Sequence, residues 1–356
     1  MKKILVLSAV ALLCVACKDS AQQSDSFVIT GQVCLPDGYT AGLVVDTDTA
    51  MSVSLCEDVV IKDGKFVMTG KADRPYPGTL MTNNLALIEQ NHWPVDSVRW
   101  TYSEVFVSNG ELQFVLDDLS GDEPKGRLTG TQVQADFNDL LDKGGKHDAD
   151  PWAFIDSHPQ SAVSVWLACQ LTDRAYNLTA AQVAHLQQTI TQCPDDTARF
   201  NRLQQKLEAA KVTVKDAPLV TLELVDTEGN TCQLTDVIPH DGRYVLIDFW
   251  ASWCGICLYS MPEVAQIAAD FKDHFCVVGV SIDTDADAWR KAMEKHPEPW
   301  PQYCTTEQGY QDLFTKYQVG RGVPYYLLVS PEGKVLFSPE RPDEVRNYLS
   351  SLNNKQ

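Results

Sequence analysis

Positive charge is what this sequence is short of: 29 lysines and arginines stand against 48 aspartates and glutamates, a formal net charge of −19 over 356 residues. That balance argues against a nucleic-acid partner and against an anionic lipid surface, since both recruit basic side chains. Histidine is sparse as well. The seven histidines form no HExxH and no paired-ligand spacing, so no metal site is expected from them. Long hydrophobic runs are also few. The first, residues 4–15 behind Lys2 and Lys3, is too short for a comfortable membrane span, and later apolar stretches are broken by turns. With 44% hydrophobic residues the chain can still bury substantial cores, and its length suggests two or three domains.

The short apolar run ends in Cys14-Val15-Ala16-Cys17, which resembles a bacterial lipoprotein cleavage box. The resemblance implies a signal peptide over residues 1–16, a lipid on Cys17 and a polar tether over residues 17–26. An ordinary signal peptide cut nearby is the alternative. An exported chain can keep disulfides. Of eleven cysteines, setting aside Cys14, Cys17, Cys254 and Cys257 leaves Cys34, Cys56, Cys169, Cys193, Cys232, Cys276 and Cys304. Seven is odd, so not all can pair internally. Cys34 with Cys56 and Cys169 with Cys193 are plausible bridges because each pair falls within one region, though the connectivity stays open. Cys276, inside an apolar strand, reads as a small buried hydrophobe.

The chemistry concentrates in residues 244–261, YVLIDFWASWCGICLYSM. A buried-strand run over 244–250 leads into Trp253-Cys254-Gly255-Ile256-Cys257. Met261, Val264, Ala265, Ala268 and Phe271 then recur at helical spacing. A thiol at the first turn of a helix meets unpaired backbone N–H groups and the positive end of the helix dipole, and both favour thiolate over thiol. Cys254 is therefore the expected nucleophile, with Cys257 one turn on to resolve the mixed disulfide. A structural bridge or half a zinc site would use the same pair. Zinc needs further ligands, and no second CxxC or Cys/His cluster is present.

DFWASWCGIC resembles the active-site segment of thioredoxin-fold proteins, and the MPE after it resembles the envelope-anchored TlpA/ResA-type thiol-disulfide oxidoreductases. The likeness continues through residues 277–283 to Gly322-Val323-Pro324 and covers about the last 140 residues. It implies that Asp248 is a buried acid serving the resolving cysteine, and that Pro324 is a cis-proline holding the Val323 backbone beside the dithiol. Trp253, Gly255, Ile256, Val323 and Pro324 would then meet the substrate, with Trp253 shielding the disulfide and offering an apolar surface. Physical chemistry supports the role of Asp248: a buried cysteine needs a base, and an apolar site raises a carboxyl toward neutrality. Two positions depart from the pattern. Ile256 stands where thioredoxin has proline, and Ser260 where many TlpA/ResA-type sequences have glutamate.

Upstream, residues 27–127 read as a β domain, with hairpins expected at Asp63-Gly64 and Asn109-Gly110. That region is similar to an uncharacterised β domain found before TlpA-type domains, and no catalytic constellation is visible in it. Residues 128–211 read as helical, with a capping box at Thr179 and Gln182 and a stripe of Phe200, Leu203, Leu207 and Ala210. Residues 212–356 complete the order of a thioredoxin-like domain, beginning with a hairpin across Glu228-Gly229. Asp283, Asp285, Asp287 and Glu294 are spaced as in a calcium loop, but Ala288 stands where that loop needs glycine. A strand end followed by a capped helix explains them better.

The expected architecture is α/β: a C-terminal thioredoxin fold, with a central mixed sheet flanked by helices, preceded by a mainly-β domain and a small helical region. The expected function is a periplasm-facing, lipid-anchored thiol-disulfide oxidoreductase that reduces protein disulfides, with no cofactor. By resemblance its clients include disulfide-containing proteins such as apocytochrome c, and a membrane thiol donor supplies the electrons. An oxidase or isomerase, a thiol peroxidase, and a binding module with a structural Cys254–Cys257 bridge are the alternatives. The peroxidase reading wants a Pro-x-x-x-Thr-x-x-Cys setting that the residues before Cys254 lack.

Overall fold

The computed structural model describes residues 24–47, 52–317 and 322–353. The expected signal peptide and the lipidation at Cys17 lie outside them. Within the described residues no helix is long and apolar enough to cross a membrane.

The first region comprises β1 (Phe27–Val33), β2 (Thr40–Asp46), β3 (Ser52–Ser54), β4 (Val59–Val60), β5 (Lys65–Gly70), β6 (Tyr76–Asn83), helix α1 (Leu85–Asn91), β7 (Trp100–Val107), β8 (Gly110–Leu116) and β9 (Arg127–Thr129). One sheet runs β5-β1-β8-β9 and the other β3-β2-β6-β7, with β4 paired to β2. Alternation along β1, β5 and β8 turns every second side chain inward. Phe27, Ile29, Met68 and Phe114 thereby meet Leu43, Val45, Leu80 and Val105 in one core. Gly31 belongs to this packing, because a Cβ there would fall 2.0 Å from the Phe66 ring.

The first expected hairpin is present as a tight turn closed by a single bridge, and the second is absent. Asp63 and Gly64 do take the two positive φ values of a tight turn, 51° and 66°. Lys62 and Lys65 close it through reciprocal N–H···O bonds, yet the flanking strands part at once, β4 to β2 and β5 to β1. At Asn109-Gly110 there is no hairpin, since β7 pairs with β6 while β8 pairs with β1 and β9 in the other sheet. The Asn109 side chain accepts from Ala72 N at 3.0 Å and donates to Ala72 O at 2.8 Å, so it clamps a neighbouring loop where a turn was expected.

The second region is α2 (Gln132–Asp142), α3 (Gly145–Asp148), α4 (Pro151–Ser157), α5 (Ala162–Thr172), α6 (Ala180–Thr189) and α7 (Thr197–Ala210). It starts after β9, which pairs with β8 two residues into the stretch expected to be helical. The capping box is present: Thr179 Oγ1 accepts from Gln182 N, and Gln182 Oε1 accepts from Thr179 N. Helix α2 lies against the outer strand of the sandwich, where Gln134 Oε1 accepts the Phe106 N–H at 2.7 Å and Phe137 packs edge-on to Phe106. The buried Arg199–Asp196 pair adds a bond from Arg199 to Pro75 O, which ties α7 to the β region.

The third region holds β10 (Glu223–Val225), β11 (Thr231–Gln233), α8 (Leu234–Val237), β12 (Tyr244–Trp250), α9 (Gly255–Asp270), β13 (Phe275–Ser281), α10 (Ala286–Lys295), β14 (Gln302–Thr305), α11 (Glu307–Thr315), β15 (Tyr325–Val329), β16 (Val335–Phe337) and α12 (Pro342–Asn353). They form one mixed sheet in the order β11-β10-β14-β13-β12-β15-β16. The parallel pair β12–β13, joined through α9, places two apolar strands at its centre with helices on both faces. Leu246, Val264, Ile267, Val345 and Leu349 fill one side, while Ile247, Val280, Trp289, Leu313 and Tyr317 fill the other. The helical region docks here too. Arg174 donates to Ser338 Oγ and Pro339 O, and Asn177 exchanges two bonds with the Ser338 backbone.

The seven remaining described cysteines are all reduced, which corrects both expected bridges. Cys34 follows β1 and Cys56 follows β3, and those strands belong to different sheets. Cys193 is sunk in the helical core while Cys169 lies on a half-buried part of α5. Cys276 is half-buried on β13, with its thiol pushed up chiefly by burial.

Candidate active site

Strand β12 carries six consecutive buried residues and stops at Trp250, so the residues after it emerge at the carboxyl edge of the central sheet. The turn that follows is clamped. Asp283, beyond β13, accepts from Ser252 N at 2.8 Å, from Ser252 Oγ at 2.7 Å and from Ser281 Oγ at 2.6 Å. Asp285 caps α10 by accepting from Asp287 N and Ala288 N. Two of the four acids with calcium-like spacing, Asp283 and Asp285, are therefore occupied by loop clamping and helix capping. Among the described residues no group of three or more potential ligands could hold a metal.

Cys254 is the residue that starts α9: it occupies the N-cap, and the Cys257 N–H points at its sulfur at 3.2 Å. The two sulfurs are bonded. Cys254 keeps 7% of its surface exposed and Cys257 only 1%, so the first sulfur is the one a partner can approach. The Val323–Pro324 bond is cis, and Val323 O lies 3.5 Å from Cys254 Sγ. Around this point stand Trp253, Ile256 and Tyr259, exposed to 67%, 70% and 87%. A Cβ on Gly255 would meet nothing within 4 Å, so glycine leaves the approach open. The expected site residues thus gather at one edge of the sheet, and Trp253 presents most of its surface to solvent.

Asp248 sits deeper on β12. It is 2% exposed and its Oδ1 has no hydrogen-bond partner. Burial, with the nearby charge of Glu298 adding to it, pushes its carboxyl from the usual 3.8 up to about 7. A carboxyl in that range can take a proton from a thiol and release it again near neutral pH.

Several contributors were given no role at the site from the sequence. Ser260 Oγ bonds to Cys257 O and to Tyr326 Oη, each at 2.9 Å, which ties the backbone of the second cysteine to β15. Gln302 Oε1 accepts from Trp250 Nε1 at 3.0 Å. Glu298 lies in a proline-flanked loop, and only the fold brings it near Asp248.

Residues 242–335 match the thioredoxin-like family model. The C-terminal domain is thioredoxin-like. Thioredoxin 1 of Chlorobaculum tepidum is 46% identical to this chain over 55 residues, which cover 15% of this chain and 54% of that protein. The thiol-disulfide oxidoreductase ResA of Bacillus subtilis is 30% identical over 122 residues, covering 34% of this chain and 63% of ResA. The resemblance to TlpA/ResA-type proteins therefore has a curated counterpart in ResA. The chain spans between about half and two thirds of the length of these relatives. Among solved structures, the thioredoxin domain of a thiol-disulfide oxidoreductase from Bacteroides vulgatus is 30% identical, covering 39% of this chain and 96% of that one, with a TM-score of 0.35. The match to the thioredoxin-like family stops short of the β and helical regions, whose 27–210 span lies outside residues 242–335.

Proposed function

We propose that this chain is a thiol-disulfide oxidoreductase that reduces protein disulfides through Cys254 and Cys257. The observation that carries the reading is the placement of Cys254. Its sulfur caps a helix, receives the Cys257 N–H, lies beside the cis Val323–Pro324 bond and borders exposed apolar side chains. In the reduced protein the Cys254 thiolate attacks one sulfur of a client disulfide; the other client sulfur leaves as a thiolate and takes up a proton. Asp248 then removes the proton of Cys257, whose thiolate attacks Cys254 Sγ. The Cys254–client bond breaks, and two electrons have passed from the dithiol to the client. An external thiol donor returns the protein to the reduced state.

An exported position follows from the lipoprotein-like segment before Cys17 and is part of the same proposal: a lipid anchor at Cys17, a periplasm-facing domain and a membrane thiol donor. The exposed apolar rim suits an extended client segment, since edge backbone at Val323 could pair with it in strand fashion. By resemblance to the TlpA/ResA type, apocytochrome c is one client class.

Equilibration of the purified protein with graded thiol–disulfide buffers, with mass readout of alkylated Cys254 and Cys257, tests the redox reading. The bridge is expected to open and close reversibly at a potential above roughly −300 mV, the range below which structural disulfides resist the glutathione pool. A bridge that stays closed through that range would make it structural.

A further inference from the structure

Strand β16 is an outer strand of the central sheet, and the chain before β10 covers its outer edge. Asp216 N donates to Val335 O at 2.8 Å, Val335 N to Ala217 O at 2.9 Å and Leu219 N to Gly333 O at 3.0 Å. One residue past β16 the cover passes to the helical region. Asn177, between α5 and α6, accepts from Ser338 N at 2.7 Å and donates to Ser338 O at 3.0 Å, so an amide side chain stands in for a strand partner. Arg174 donates to Ser338 Oγ at 2.8 Å and to Pro339 O at 2.9 Å, and its guanidinium lies 5.3 Å from the centre of the Tyr325 ring. Ser338 is wholly buried and donates in turn to Tyr326 O at 2.8 Å. Two side chains from the helical region thus satisfy the backbone of Ser338 and the carbonyl of Pro339. Without them one N–H and two carbonyls in a buried stretch would lack partners, and the loop would have to move to pair them.

The loop held in this way borders the dithiol. Residues 340–343 line one groove of about 410 Å³ together with Ile256, Tyr259, Pro324 and Tyr326. Ile256 lies between the two cysteines in the chain, and Pro324 carries the cis bond whose Val323 O lies 3.5 Å from Cys254 Sγ. The groove is therefore continuous with the place where a client sulfur must sit. Its α9 side is apolar and open, because Ile256 and Tyr259 keep most of their surface in solvent. We propose that Arg174 and Asn177 are positioning residues for client binding. They hold one wall of a groove that takes the extended segment beside a client's disulfide, with an apolar side chain of that segment against Ile256, Tyr259 and Pro324. The inference rests on the redox reading of the two cysteines. Client recognition then belongs to the thioredoxin-like domain and the helical region together, although the dithiol lies in the first alone.

The test uses the full chain, reduced, against two oxidants. One is a synthetic peptide closed by a disulfide with leucine beside each cysteine; the other is hydroxyethyl disulfide, which has no flanking residues to place. Oxidation of the dithiol at graded peptide concentrations, read by quench and alkylation mass, gives a half-saturating concentration and a maximal rate. Asn177→Ala and Arg174→Ala should each raise the half-saturating concentration about three- to tenfold, the range set by the net worth of a lost hydrogen bond. The maximal rate and the rate with hydroxyethyl disulfide should not change. Thr179→Ala is the control. It removes the cap of α6 at a comparable cost in stability, but its hydroxyl bonds within the first turn of that helix, so the half-saturating concentration should stay that of the unmodified protein. Asn177→Ala leaves Arg174 in place and tests the wall even where the Arg174 variant does not fold. An unchanged half-saturating concentration in Asn177→Ala would overturn the inference, as would an equal rise in Thr179→Ala. A loss of rate with both oxidants alike would also overturn it, since a looser fold gives that result. Absence of any reaction between the unmodified protein and hydroxyethyl disulfide would instead sink the redox reading itself.

Discussion

Serine in place of Cys257 is expected to stop the reaction after its first step and leave Cys254 bonded to its clients. The geometry makes the two sulfurs unequal: Cys254 caps the helix beside exposed Trp253 and Ile256, whereas Cys257 is almost wholly enclosed. Removing the enclosed sulfur takes away the intramolecular nucleophile and leaves the outer one reactive. Escape then depends on an external thiol, which lacks the effective concentration of a neighbour one helical turn away. Multiple turnover should fall to background, and discrete mixed disulfides should accumulate in the cells that make the protein. They should disappear when Cys254 is also changed to serine. Absence of such adducts from a folded Cys257→Ser protein would contradict the assignment of roles.

Asn in place of Asp248 should slow the second step by about 10²–10⁴-fold, the usual contribution of a positioned base, while the first attack by Cys254 keeps its rate. The same substitution should stabilise the fold above neutrality. The carboxyl has a folded value of about 7 against an ordinary 3.8, so the folded protein holds a proton that the unfolded chain has released. Stability tied to this group is complete below about pH 4 and is lost as pH rises through about 7. An amide has no such loss. At pH 8 the gain has an upper limit of about 4 kcal/mol, reduced by whatever the buried amide leaves unpaired, and near pH 4 it should vanish. Single-turnover quench measurements and denaturant unfolding at the two pH values check both halves. A variant that is slower and equally stable at pH 4 and pH 8 would contradict the buried-base account.

The first of these effects was legible in the sequence for a local reason. A strand, a CxxC and a helix are adjacent in the chain, so the N-cap position of Cys254 follows from spacing alone. The cis bond before Pro324 and the role of Asp248 came from resemblance, because each depends on what lies across the sheet. Glu298 was illegible. Glu298 adds to the rise of the Asp248 carboxyl only once the loop between α10 and β14 is folded, and that loop's own residues do not specify where it lies. Asp283 was read as a strand end, yet its carboxylate holds Ser252 in the active-site turn. The β region shows the converse error. Asn109-Gly110 has hairpin chemistry, but only Gly110 takes a positive φ, and the Asn109 side chain is engaged with Ala72. Local propensity yielded there to a contact 37 residues away.

The exposed Cys34 supplies an internal standard for the central claim, since it sits at the surface just after a strand rather than at a helix start. Alkylation of the reduced chain at pH 7, with the label on each cysteine followed by mass spectrometry, compares the two thiols in one sample. Stabilisation of the thiolate by the start of α9 predicts that Cys254 reacts at least about tenfold faster than Cys34. Equal rates would contradict it.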